Sequence, residues 1–158
     1  MCMAGIAARV IDGADGQPDY ANIYGAAMAF DLDHVPDDAA LQGPAGRRAY
    51  DARANGVTGI AFDIDSEPPP RAGIRVEIMT VTAPGPAPFW GGAALDASPV
   101  HAGHNAFRWE AVGGPLFVDA PPAFDATEIL AVQFHVASDL IAAKSFSFCV
   151  NNVVALTD

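Results

Sequence analysis

Residues 57–65 read Val57-Thr58-Gly59-Ile60-Ala61-Phe62-Asp63-Ile64-Asp65. Ile60, Phe62 and Ile64 share one parity, and Ala61, Asp63 and Asp65 share the other. Side chains on an extended backbone alternate sides, so this stretch is a strand with one apolar face and one polar face. Its β-branched and aromatic residues fit a pleated sheet better than a helix. Two more stretches repeat the pattern. Gly73 to Thr80 sets Ile74, Val76 and Ile78 against Arg75, Glu77 and Met79. Glu128 to Val136 sets Leu130, Val132, Phe134 and Val136 against Gln133 and His135. Strands with one apolar face must bury it against another layer.

Working outward, Met3 to Ile11 reads as a first strand, closed by the turn-forming run Asp12-Gly13-Ala14-Asp15-Gly16. Ile23 to Asp33 is a second, with Met28, Phe30 and Leu32 opposed to Ala29, Asp31 and Asp33. A polar loop from His34 to Arg48 follows. The middle of the chain is less regular, and strands are expected there around Ala106 to Val112 and Leu116 to Val118. Phe146 to Leu156 closes the domain. No segment keeps a helical period beyond two turns, and 15 Gly and 13 Pro interrupt the 158 residues. The expected architecture is a single all-β domain, a two-sheet antiparallel β-sandwich of roughly eight strands.

Charge narrows the partners. Nineteen Asp and Glu oppose eight Lys and Arg, a net charge of −11. Such a surface repels phosphate backbones and anionic lipid, so no nucleic-acid partner is expected. The most apolar stretch, Ile129 to Ala143, is broken by Gln133, His135, Ser138 and Asp139, so no membrane insertion is expected either. The N-terminus has no basic region leading into an apolar segment, an absence that a mature exported domain would share. Nucleotide-binding glycine patterns, HExxH, GxSxG and paired CxxC motifs are missing. His101 and His104 lack a third ligand at zinc spacing. Asp12-Gly13-Ala14-Asp15-Gly16 opens like a Ca²⁺ loop but has no Glu at the twelfth position. No cofactor is expected beyond an optional structural Ca²⁺ without assigned ligands.

The polar parities carry the functional signal. Asp63, Arg75, Glu77, Gln133 and His135 are expected to share one solvent-facing sheet surface, which Asp31 and Asp33 could extend. Carboxylate, guanidinium, amide and imidazole groups each make in-plane or bidentate contacts suited to adjacent sugar hydroxyls. Aromatic rings supply the other half of sugar recognition by stacking on the C–H face of a pyranose. Trp90, in a Pro- and Gly-rich loop, and Tyr24 are the candidates, whereas Trp109, alternating with Phe107, suits core packing. A solvated polar face without a ligand is the competing explanation.

Several runs add a family resemblance. Tyr50-Asp51-Ala52 followed by Gly59-Ile60-Ala61-Phe62 resembles a run in bacterial carbohydrate-binding modules with a galactose-binding-like jelly roll. Phe124-Asp125-Ala126-Thr127 with Val132-Gln133-Phe134 is similar to their penultimate strand. Phe146-Ser147-Phe148-Cys149-Val150-Asn151-Asn152-Val153 is similar to their closing strand, with Asn151-Asn152 in place of an acidic pair and Cys149 in place of an aromatic. The layout is closest to family 11-like modules and to exported domains of myxobacteria-type bacteria. The resemblance implies a jelly roll whose concave face binds a β-glucan or related polysaccharide. It also implies a binding role for Arg75 and Glu77, which match an Arg-x-acid pair on one strand of that face.

In jelly rolls of this kind the terminal strands run side by side, which implies a Cys2–Cys149 disulfide and, with it, an extracellular or cell-surface location. Two other fates remain open: an ordinary buried thiol at Cys149, and a lipid-anchor role for Cys2. Three functions are then in play. These are a non-catalytic glycan-binding module, a structural or protein-interaction sandwich, and a small glycan-active enzyme using Asp63, Asp65 and Glu77.

Overall fold

Alternation of large apolar with polar or small residues produces eight strands in the computed structural model, which describes residues 1–19, 25–33, 48–65, 73–81, 92–94, 100–112, 124–138 and 140–158. They are β1 (Cys2–Ala7), β2 (Gly25–Asp31), β3 (Val57–Ile64), β4 (Arg75–Thr80), β5 (Gly92–Ala94), β6 (Gly103–Arg108), β7 (Ile129–Ala137) and β8 (Lys144–Thr157). One sheet has the order β1-β8-β3-β6 and the other β2-β7-β4-β5. Every ladder is antiparallel. The first strand pairs with the eighth, the second with the seventh, the third with the sixth and the fourth with the fifth. That nesting is the eight-stranded jelly roll, a β-sandwich as the sequence leads one to expect.

The apolar parities meet between the sheets. Ile60, Phe62 and Ile64 of β3 and Phe146, Phe148 and Val150 of β8 face Val76 and Ile78 of β4 and Val132, Phe134 and Val136 of β7. Phe62 meets Phe134 edge-on, ring centroids 4.8 Å apart, joining the two sheets at their centre. Burying such side chains contributes about 1.5–3 kcal/mol each. Gly59 marks a close approach: a Cβ there would lie 2.1 Å from the Phe107 carbonyl oxygen on the neighbouring strand.

Element limits differ from the sequence expectation in three places. The first strand ends at Ala7 and not at Ile11, because the chain turns early through an Asp12–Pro18 bridge. The expected strand from Ala106 to Val112 is β6 followed by a 3-10 turn over Trp109–Ala111. The turn buries Trp109 against the core, and its indole N–H donates to the Val57 carbonyl at 2.9 Å. Strand β5, three residues in a Gly-Ala run, is too short to show a period. The expected strand at 116–118 lies outside the described residues.

Cys2 and Cys149 form a disulfide, so Cys149 is not a free thiol, and the Cys2 sulfur is not available to an anchor. The register explains the pairing. Met1 and Val150 exchange both backbone hydrogen bonds, at 2.8 and 2.7 Å. The next pair along, Cys2 and Cys149, is therefore a non-hydrogen-bonded pair, the kind that brings opposing residues closest. Their Cα atoms are 4.0 Å apart.

Candidate functional site

The polar face of the β2-β7-β4-β5 sheet is built in rows across the strands. Arg75 lies opposite His135, which lies opposite Ala27; Glu77 lies opposite Gln133, which lies opposite Ala29. Adjacent residues within a row are about 4.8 Å apart, and the rows about 6.8 Å apart, by strand geometry. The alternate pairs, Val76–Phe134 between the rows and Ile78–Val132 beyond them, face the core, so parity places all four polar residues on the outer side. Sequence parity thus brings Arg75, Glu77, Gln133 and His135 together correctly.

These residues do not form the solvent-facing surface that was expected. Glu77, Gln133 and His135 are buried, His135 completely. Gln133 Nε2 donates to Glu77 Oε2 at 2.7 Å, and His135 Nδ1 lies 3.0 Å from Glu77 Oε1. With Glu77 ionised, the carboxylate only accepts and Nδ1 carries the proton in that bond. Burial without such partners would cost several kcal/mol, and the triangle removes that cost. Gly25 seals one side. A Cβ there would stand 2.7 Å from His135 Nε2 and 2.3 Å from the Val136 carbonyl, and φ at Gly25 is +133°.

Arg75 behaves differently. It is half-buried, and its side chain makes no hydrogen bond or ion pair with a described residue. Beyond His135 and Gln133, Ala27 and Ala29 are exposed and leave a flat methyl-floored strip along β2. Asp31 lies one row further on the same face, opposite Ala131. Asp33 is beyond the strand, paired with Arg48 at 2.8 Å. Trp90 and Tyr24 lie outside the described residues.

Asp63 belongs elsewhere. It sits on β3, in the other sheet, and its polar parity points away from the sandwich on the opposite side of the molecule. There its carboxylate is held by His104 Nδ1 at 2.9 Å and by the Asn152 amide at 2.7 Å. The Asn152 hydrogen bond, then that of His104, holds the Asp63 pKa below the ordinary carboxylate value. Asn151 donates likewise to Asp65. Two successive amides reach the same face because a bulge breaks the β3–β8 register between Ala61 and Asp63, with Asn152 at φ +49°. This second cluster was not expected from the sequence. Only the adjacent Asn151-Asn152 pair hinted at it, by departing from an otherwise familiar closing strand.

His101 Nδ1 bonds to the Ala102 carbonyl at 2.9 Å, and His104 to Asp63, so the two imidazoles serve separate local contacts. Among the described residues no group of three or more His, Cys, Asp or Glu is placed to hold a metal ion. No protein-family model, curated protein or solved structure matches this chain.

Proposed function

We propose that this chain is a non-catalytic polysaccharide-binding domain of an exported protein, with the outer face of the β2-β7-β4-β5 sheet as its glycan platform. The observation that carries the proposal is Arg75: a half-buried arginine whose side chain has no partner among the described residues, standing in the row of His135. A guanidinium offers five N–H donors in a fixed plane and gains most from a planar or paired acceptor. Adjacent equatorial hydroxyls of a sugar supply such a pair. The exposed methyls of Ala27 and Ala29 offer a flat apolar strip for a pyranose C–H face. Glu77, Gln133 and His135 then act as positioning residues that hold this part of the sheet rigid.

Two donors occupy the Glu77 carboxylate, which suits positioning better than acid catalysis. The family 11-like sequence resemblance favours a β-glucan-type ligand. The Cys2–Cys149 bond favours a location outside the reducing cytoplasm. The net charge of −11 disfavours nucleic acid, and no helix among the described residues is long and apolar enough to cross a membrane.

A structural or protein-interaction role is the second reading, and one observation favours it: the complete burial of His135 and near-complete burial of Glu77 and Gln133. A screen decides between them. Affinity gels containing β-glucans, xylans, mannans or galactans should retard the protein in at least one case, and Arg75→Ala should abolish the retardation. Unchanged mobility in every gel supports the structural reading instead.

A further inference from the structure

The Cys2–Cys149 bond lies on the outer face of the β1-β8-β3-β6 sheet, since the flanking Phe148 and Val150 point into the core. Cys2 is exposed and Cys149 half-buried. The bond joins the edge strand β1 to β8, the one strand among the described residues with which β1 forms a ladder. The apolar contribution of β1 to the core is small, Ala7 buried in it and Met3 packed against it. The strand's inward positions, Met3, Gly5 and Ala7, lie opposite Phe148, Phe146 and Lys144 of β8. The ring of Phe146 fills the space at Gly5, 3.2 Å from where a Cβ would stand. Strand β1 thus leans on its neighbour's side chains and on a covalent tie more than on a buried face of its own.

We propose that Cys2–Cys149 is a surface clasp that a dithiol reductant opens in the folded protein, freeing β1 while the other strands stay assembled. Cys2, the more exposed of the two residues, is the point of attack. One reductant thiolate forms a mixed disulfide with Cys2, and the Cys2–Cys149 bond breaks with Cys149 leaving as a thiolate that takes up a proton. The second reductant thiol then attacks the mixed disulfide, forms the reductant's own disulfide and releases Cys2 as a thiol. Two electrons and two protons pass from the dithiol to the cystine. With the tie gone, β1 has one ladder and a thin apolar face to hold it, and edge segments of that kind open locally at low free-energy cost. Opening also frees the Met1–Val150 pair and leaves the β8 backbone as the new sheet edge. This inference is independent of glycan binding.

Reduction kinetics and hydrogen exchange test it. Dithiothreitol is added to the native protein at increasing sub-denaturing urea, and free thiols are counted by alkylation and mass spectrometry. Local access predicts a reduction rate that barely changes with urea, and reduced protein in which amides of residues 2–7 lose protection while those of β3, β4 and β7 keep it. A rate that climbs with urea as global unfolding does would overturn the proposal. So would reduced protein that keeps β1 protection or loses protection throughout. Cys2→Ser/Cys149→Ser should show the same selective loss without reductant. Should that variant fail to fold, the proposal is overturned by a collapse of the reduced wild type as well, and survives if reduced wild type stays folded.

Discussion

His135 Nδ1 lies 3.0 Å from Glu77 Oε1, both side chains buried on the sheet face that turns away from the core. A buried imidazole and a buried carboxylate each pay a desolvation penalty that hydrogen-bond partners relieve, and Gln133 donates to the other carboxylate oxygen. Removing one corner should therefore cost more than the net value of the bonds. Glu77→Ala leaves two buried donors facing a void, and urea denaturation should show a loss of about 3–5 kcal/mol. Glu77→Gln, which keeps the shape and one acceptor oxygen, should lose clearly less. Equal losses would mean that the triangle contributes packing alone.

Two glycines separate crowding from backbone conformation. Gly59→Ala drives a methyl into the Phe107 carbonyl, 2.1 Å from the new Cβ, and should destabilise by about 3 kcal/mol or more. Gly56 has φ +67° and open space around it, so Gly56→Ala should cost about 1–2 kcal/mol for the left-handed backbone alone. Thermal melts of both variants give the ranking. A reversed order would contradict the β3–β6 register.

How much of this was readable in the chain depends on what period two can encode. Parity told which side of a strand each residue takes, and it grouped Arg75 with Glu77 and Gln133 with His135. It could not tell which sheet a strand joins. In a jelly roll β3 and β4 follow each other in sequence but lie in different sheets, so their polar faces point in opposite directions. Asp63 was grouped with Arg75 for that reason, and the structure parts them. Parity is also silent on depth. An Arg and a His on one polar face read alike in sequence, yet Arg75 is half-buried and His135 is fully buried. The bulge at Asn152 left no periodic trace, because one extra residue only shifts the phase of a strand already expected.

The acid limb of stability should report the Asp63 cluster. Its folded-state pKa lies below the unfolded value, near 3.9 for an ordinary Asp. Its contribution is then fully present above the unfolded value and fades as pH falls through the lower folded one. Asn152→Gly tolerates the left-handed backbone and removes the largest cause of the shift. Carboxyl NMR titration should find the Asp63 pKa raised in Asn152→Gly, and raised less in His104→Ala. An unmoved Asp63 titration in Asn152→Gly would show that the amide does not hold the carboxylate in solution.

The central claim is that glycan meets the Arg75 face and not the Asp63 face, and backbone NMR mapping tests it most directly. The labelled protein is titrated with soluble oligosaccharides cut from whichever polysaccharide retards it. Amide shifts are predicted at Ala27, Ala29, Arg75 and Gln133, absent in Arg75→Ala, with Asp63, His104 and Asn152 unmoved on the opposite sheet. Shifts centred on Asp63 and Asn152, or none with any β-glucan, xylan, mannan or galactan fragment, would contradict it.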